Sequence, residues 1–311
     1  MAQERTHIVT GCTGAGTWSI EAWVNVNGTV VRGEQACISV FDRGFLFGDS
    51  VYEVIRTYNG VPFALTEHLH RMRCSARALG MEPALDSFDI EAELARTLAN
   101  ADYTESYARI IVTRGVGPIG LEIHKATLPN LVIIVQPLTT PPTEAYERGI
   151  HLAVVSVVRN LVNALDPAIK SGNYLNNLLA LREAQENGAD EAVMLDYQGY
   201  LTEATTSNIF MVFDGILVTP PLDAGILEGI TRKRLLGMVA DHGIGFQIRR
   251  TSGEELATAD ECFLSSTTKE VLPVTMINGN KVGDGAPGPV TRRLANLFRA
   301  HVGQSPRYSR E

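Results

Sequence analysis

A proline-rich segment divides this chain of 311 residues into two parts. Residues 137–143 read Pro-Leu-Thr-Thr-Pro-Pro-Thr, and three prolines in seven residues resist helix and sheet alike, because proline fixes φ and lacks an amide hydrogen. The length suffices for two domains of ordinary size. We therefore predict a flexible N-terminal tail over residues 1–17, a small N-terminal α/β domain over 18–138, an interdomain linker over 139–147 and a larger C-terminal domain over 148–311.

Strand and helix patterns alternate on both sides of this break. Before it, residues 23–31 alternate around an Asn-Gly pair, which predicts a hairpin, and Thr66 is the expected N-cap of a helix. A second helix is predicted over residues 87–100. After it, strands are predicted at residues 151–158, 191–195, 208–213, 216–218, 260–264 and 274–277, and helices at 175–186, 231–242 and 290–302. This alternation predicts an α/β or α+β chain with mixed sheets.

Composition excludes several classes of partner. A net charge of -8 and a pI near 5.5 argue against a nucleic acid or an anionic membrane as the main partner, and no apolar run approaches the length of a membrane span. The cysteines show no paired spacing and the histidines are scattered apart from His68 and His70, so we expect neither a disulfide framework nor a metal site. A reducing cytoplasm is the simplest compartment for such a chain.

Lys170 is one of only five lysines, and it lies between Pro167 and Gly172 at a predicted strand-to-helix turn. A lysine at such a turn can point its amine into a cleft, where partial desolvation lowers its pKa and allows it to form a Schiff base with an aldehyde. Taken alone, however, this position is more typical of an ordinary solvated loop lysine, because lysines with a shifted pKa are rare outside functional sites.

Three further segments add chemistry to this lysine. Glu203 is a carboxylate between a turn and an apolar strand, surrounded by small hydroxyl residues. Gly229-Ile230-Thr231 opens a predicted helix, where backbone amides and a hydroxyl can bind a phosphate. A hydroxyl cluster over residues 265–268 follows another strand. A lysine, a carboxylate and a phosphate cradle are together what pyridoxal phosphate requires.

The motifs resemble those of the fold-type IV pyridoxal-phosphate enzymes. This family includes branched-chain amino acid aminotransferases, D-amino acid aminotransferases, (R)-amine transaminases and aminodeoxychorismate lyases. The resemblance runs from about Trp23 to about Phe298, and its motifs are residues 42–53, 67–72, 169–177, 201–210 and 227–232. It implies a two-domain fold, pyridoxal 5'-phosphate bound by the C-terminal domain, and a homodimer or higher homo-oligomer.

The resemblance also implies a role for each matching residue. Lys170 would carry the cofactor as a Schiff base and move the proton, Glu203 would pair with the pyridine nitrogen, and Tyr174 would donate to the ring hydroxyl oxygen. The residues implied around the ring and phosphate are Arg71, Leu227, Gly229, Ile230, Thr231 and Thr267. Those implied to contact the substrate are Phe47, Tyr52, Tyr107, Arg109, Thr267 and Thr268.

The sequence constrains the choice of substrate less than the choice of cofactor. Tyr107-Ala108-Arg109 resembles the Tyr-x-Arg strand of the branched-chain enzymes, and an arginine fork suits 2-oxoglutarate as acceptor. Val54, where those enzymes usually have glycine, and residues 266–270 resemble the D-amino acid group more. We expect an L-branched-chain transaminase acting on leucine, isoleucine and valine, with a D-amino acid or (R)-amine transaminase as the alternative.

Two other functions fit less well. An aminodeoxychorismate lyase has no need of a second carboxylate substrate, which Arg109 would suit. A carrier or a sugar-phosphate-binding module would use a glycine-rich helix start but would not need Lys170, Glu203 and Tyr174 together.

Overall fold

The computed structural model describes residues 21–309, so the predicted tail over residues 1–17 lies outside the described residues. Contacts between residues divide the chain into two compact units, Met1–Leu138 and Thr139–Glu311, here called unit 1 and unit 2. Among residues 21–309, we find no helix whose length and hydropathy would let it cross a membrane.

Unit 1 contains a six-stranded sheet in the order β2-β1-β6-β5-β3-β4, with antiparallel neighbours throughout. Its strands are β1 (Trp23–Val26), β2 (Thr29–Arg32), β3 (Ser50–Tyr58), β4 (Val61–Pro62), β5 (Ser106–Val116) and β6 (Leu128–Pro137). The predicted first hairpin is confirmed. Asn27 and Gly28 both have positive φ, as the tightest hairpin turns require.

The helices of unit 1 are α1 (Arg43–Phe47), α2 (Leu65–Ala78), α3 (Glu82–Leu85) and α4 (Ile90–Ala101). The prediction that Thr66 caps α2 is wrong, because α2 begins at Leu65, after Ala64 in the left-handed region, and Thr66 is its second residue. The predicted helix over residues 87–100 begins at Ile90 instead, since the Asp89 carboxylate accepts the amide hydrogen of Ala92 and caps it there.

The pleat of β5 gives unit 1 two different sheet faces. Ala108, Ile110 and Val112 are fully buried in the hydrophobic core that α2 and α4 cover. Tyr107 and Arg109 alternate with them and therefore lie on the opposite face. This alternation separates the structural face of the sheet from the face that carries the predicted substrate residues.

Unit 2 contains a mixed sheet in the order β12-β11-β10-β13-β14-β7-β8-β9, with β15 paired to β14. Its strands are β7 (Ile150–Val154), β8 (Glu191–Leu195), β9 (Leu201–Ala204), β10 (Asn208–Phe213), β11 (Ile216–Thr219), β12 (Phe246–Ile248), β13 (Glu261–Ser266), β14 (Glu270–Ile277) and β15 (Asn280–Lys281). The β7–β8, β7–β14 and β11–β12 pairs are parallel. The α/β class is confirmed. Among the described strands, parallel and antiparallel pairs occur together in the sheet of unit 2, whereas the sheet of unit 1 is antiparallel.

The helices of unit 2 are α5 (Thr143–Arg148), α6 (Leu175–Glu186), α7 (Ile230–Asp241), α8 (Gly253–Leu256) and α9 (Pro289–His301). The predicted linker over residues 139–147 thus contains most of α5. The helix starts directly after Pro142, because a proline at a helix start removes an amide hydrogen that the helix would leave unbonded anyway. The strand predicted over residues 151–158 ends earlier, at Val154.

Candidate active site

Glu203 of β9 is a buried carboxylate held by three donors. Its Oε1 accepts from the Arg159 guanidinium at 2.6 Å, and its Oε2 accepts from the Asn208 amide at 3.2 Å and the Leu227 backbone amide at 3.1 Å. The predicted ring partner and the predicted ring-packing residue, Glu203 and Leu227, are therefore in direct contact. Asn208 also donates to the Leu227 carbonyl at 2.9 Å and fixes the loop from both sides.

Burial raises the pKa of Glu203 above its ordinary value, and the charges of Arg159 and Lys170 offset this only in part. The half-buried Lys170 is thus close enough to act on the carboxylate electrostatically. Oε1 accepts one hydrogen bond from the described residues, which leaves capacity for a further donor. A carboxylate in this state gains from an additional cationic N–H partner.

Arg159 and Asn177 support this carboxylate, although the sequence indicated neither. Arg159 donates to the Asn177 side-chain oxygen at 3.0 Å, and Asn177 donates to the Thr205 carbonyl at 2.6 Å. All three are buried. Arg159 lies 44 positions before Glu203, so no local pattern could have linked them. Tyr174 lies at the N-cap of α6, three residues before Asn177.

The start of α7 has the features of an anion site. Gly229 is its N-cap and provides no side chain to cap the first-turn amides, which lie at the positive end of the helix dipole. A Cβ on Gly229 would collide with the Asn208 amide oxygen, so only glycine allows this approach. Ile230 and Thr231 follow in the first turn, both buried.

The predicted substrate residues Thr267 and Thr268 lie half-buried in the turn between β13 and β14. Ser265, just before this turn, pairs in register with Asn208 of β10, which places the turn next to the strand that carries Asn208. The structure thus gathers Glu203, Leu227, Gly229 and the Thr267–Thr268 turn around β9, β10, β13 and the start of α7.

Arg71 of α2 is held by Glu53 of β3 in unit 1. Its Nε and Nη2 donate to the two carboxylate oxygens at 2.7 and 2.8 Å, and His68 contacts the same carboxylate at 2.8 Å. Burial by itself would raise the pKa of Glu53, but the charge and hydrogen bonds of Arg71, aided by His68, lower it to about 2. The sequence did contain a signal for Glu53, because a charged residue inside an apolar strand is rarely buried unless it is paired.

The remaining unit 1 residues divide between two places. The Arg109 guanidinium stacks on the Tyr52 ring at 4.1 Å, and Arg109 pairs in register with Val54. Among the described residues, no carboxylate pairs with Arg109. An ordinary strand arginine would pair with a surface carboxylate. Tyr107 shares this sheet face, whereas Phe47 lies exposed at the end of α1.

Comparisons with known proteins identify the family. The family description Amino-transferase class IV matches residues 50–277, well over half of the chain. The chain belongs to the class IV aminotransferases. Its fold is that of this family: a crystal structure of the branched-chain amino acid aminotransferase of Escherichia coli matches with a TM-score of 0.81 at 32% identity, over 91% of this chain and 95% of that one.

Curated relatives of two kinds resemble this aminotransferase. One, from Methanocaldococcus jannaschii and provisionally named a branched-chain-amino-acid aminotransferase, is 39% identical over 276 residues, covering 89% of this chain and 95% of the relative. The other is the D-alanine aminotransferase of Bacillus licheniformis, 33% identical over 276 residues with the same coverage of 89% and 95%.

As a class IV aminotransferase, the protein is a pyridoxal-phosphate enzyme. The residues of unit 2 fit this cofactor. Glu203 can accept a further hydrogen bond, which suits a protonated ring nitrogen. The start of α7, where only glycine fits beside the Asn208 side chain, suits a phosphate.

Proposed function

We propose that this aminotransferase transfers the amino group of L-leucine, L-isoleucine or L-valine to 2-oxoglutarate. The observation that carries the proposal is the Arg109 guanidinium, stacked on Tyr52 and without a carboxylate partner among the described residues. Such a fork is available to bind a substrate carboxylate in two hydrogen bonds. The branched-chain names among the relatives support the same substrate class.

The unit 2 residues would divide the catalytic work. Lys170 holds the cofactor and carries the proton to and from the substrate α-carbon. Glu203, kept in place by Arg159 and Asn208, holds the proton on the pyridine nitrogen. When bound, the cofactor would supply the electron-withdrawing ring that this proton transfer needs.

The other predicted residues bind and orient. Tyr174 donates to the ring hydroxyl oxygen, Leu227 packs on the ring, and the first turn of α7 binds the phosphate through Gly229, Ile230 and Thr231. The resemblance assigns Arg71 to the phosphate and Thr267 to both phosphate and substrate. It assigns substrate contacts to Thr268, Phe47, Tyr52, Tyr107 and Arg109.

A D-amino acid or (R)-amine transaminase is the second candidate. Val54 lies beside Arg109 in the sheet, and its side chain is bulkier than the glycine usual in branched-chain enzymes. The similarity to D-alanine aminotransferase points the same way. An aminodeoxychorismate lyase is less favoured, because Arg109 suits a second carboxylate substrate.

A half-reaction screen separates these candidates. The holoenzyme is mixed in turn with L-leucine, L-glutamate, D-alanine and (R)-1-phenylethylamine, and loss of the visible absorbance of the lysine-bound cofactor is followed. We expect rapid loss with L-leucine and L-glutamate. Reaction with D-alanine or the (R)-amine in place of L-leucine would overturn the branched-chain proposal while leaving the family membership intact.

We further propose a cytoplasmic homodimer. In the single chain, Leu175, Leu178 and Leu179 form an exposed apolar stripe along α6 at helical spacing. A stripe of this kind is typical of a surface that a second subunit covers. Sedimentation at assay concentration tests the assembly, and a strictly monomeric active protein would contradict it.

A further inference from the structure

Lys269 closes the turn that carries Thr267 and Thr268, and it is fixed at every polar group. Its amide donates to the Ser266 hydroxyl at 3.3 Å, and its carbonyl accepts from the Tyr146 hydroxyl at 3.0 Å. Its ammonium donates to a carboxylate oxygen of Glu191 at 2.7 Å. Although lysine side chains are usually mobile, this one is 20% exposed and held along its whole length.

The Lys269 ammonium also binds the loop that follows Glu203. It donates to the hydroxyls of Thr206 at 3.0 Å and Ser207 at 3.3 Å. An ammonium has three donors, and Glu191, Thr206 and Ser207 account for all three. The amine is therefore committed to the loop and has no donor left for a substrate carboxylate.

A continuous series of hydrogen bonds runs from Lys269 to Glu203. The second oxygen of Glu191 accepts from the Thr205 hydroxyl, and the Thr205 carbonyl accepts from Asn177. Asn177 accepts in turn from Arg159, which donates to Glu203. From end to end, the series consists of Lys269, Glu191, Thr205, Asn177, Arg159 and Glu203. Its two cations and two carboxylates alternate, so each buried charge faces one of opposite sign.

We propose that Lys269 is a positioning residue that sets the Thr267–Thr268 turn at a fixed distance from Glu203. The proposal rests on the proposed function, since it takes this turn to hold the substrate and Glu203 to hold the cofactor ring. Loss of the amine frees the turn, while Glu203 keeps its bonds to Arg159, Asn208 and Leu227. The phosphate would keep the first turn of α7 and Arg71 in addition to Thr267, so substrate binding should suffer more than cofactor binding.

The variant that tests this is Lys269→Met, which keeps the aliphatic length and removes the charge. With the holoenzyme we expect the KM of the amino donor to rise about tenfold, because small displacements of a binding group are costly. Cofactor affinity should change little, whereas the unfolding temperature of the apoenzyme should fall, because Glu191 is left buried without its counter-ion. Lys269→Arg should restore part of the KM, and Lys281→Met, which removes an exposed lysine of β15, serves as the matched control.

Glu191→Gln cuts the same ion pair from the other side and covers the case in which Lys269→Met folds poorly. The double variant should raise KM no more than the larger single effect, because the two residues act through one contact. An unchanged KM in both single variants would overturn the proposal. So would a loss of cofactor affinity as large as the rise in KM, which indicates a merely structural pair. The KM is measured with whichever amino donor reacts with the wild type in the half-reaction screen. Failure of the branched-chain proposal is therefore distinguishable from failure of the Lys269 proposal.

Discussion

Replacing Glu53 by glutamine should destabilise unit 1 by about 3 kcal/mol at neutral pH. The carboxylate is fully buried and binds Arg71 through both oxygens, and its pKa of about 2 lies well below the ordinary 4.5. Each pKa unit corresponds to about 1.4 kcal/mol of stabilisation of the charged form, which gives the total of about 3 kcal/mol. Glutamine keeps the shape but leaves the guanidinium without its counter-ion.

The pH dependence of this loss has a definite sign. Because the pKa of Glu53 is lowered in the folded state, its contribution is fully present above about pH 4.5 and is lost as the pH falls through about 2. At pH 3.5 about 2 kcal/mol of it should remain. The difference in unfolding free energy between wild type and Glu53→Gln should therefore shrink by roughly 1 kcal/mol between pH 7 and pH 3.5.

Urea unfolding of the apoenzyme, followed by tryptophan fluorescence, measures this effect. Of the two tryptophans in the chain, Trp23 lies in β1 of unit 1 and reports on that unit, and Trp18 lies outside the described residues. Glu91→Gln, which removes an exposed carboxylate from the first turn of α4, is the matched control and should cost less than about 1 kcal/mol. A loss below about 1 kcal/mol for Glu53→Gln at pH 7, or one that does not shrink in acid, would refute the reasoning.

Four other substitutions test the proposed site. Lys170→Ala should abolish multiple-turnover transamination, because the amine that holds the cofactor and moves the proton is gone; wild-type turnover would refute its assignment. Glu203→Gln should leave the cofactor bound, by absorbance, yet slow turnover more than about tenfold, or roughly 1.4 kcal/mol. Arg109→Ala should lower kcat/KM for 2-oxoglutarate more than for 2-oxoisocaproate, and equal losses would indicate another role. Gly229→Ala should weaken cofactor affinity in equilibrium dialysis by about tenfold or more, because the new methyl group displaces the Asn208 amide; an unchanged affinity would contradict this.

Much of the fold could be predicted from local patterns. The Asn27-Gly28 pair predicted its hairpin because the turn needs two residues with positive φ, and both have it. Helix ends were predicted less well. Capped by Asp89, α4 begins at Ile90, three residues after the predicted start at residue 87, since several polar residues there could each have capped a helix.

In the candidate site, too, some residues could be predicted from local patterns and others could not. Lys170, Glu203 and Gly229 stand in short motifs whose chemistry can be recognised without a fold, because each depends on its immediate neighbours. Val54 and Lys269 departed from the expected motifs, but no pattern in the chain connects Lys269 with Glu191, 78 positions away.

Local residue patterns were sufficient to predict the alternation of strands and helices, and they supplied the short motifs from which the site is proposed. The packing of the chain selected the residues that fix those motifs: Arg159 and Asn208 on Glu203, Glu53 on Arg71, and Glu191 on Lys269. The difference arises because a turn or a cap depends on a few neighbouring residues. A buried charge, by contrast, is stabilised by whichever distant partners the packed sheets bring within hydrogen-bonding distance.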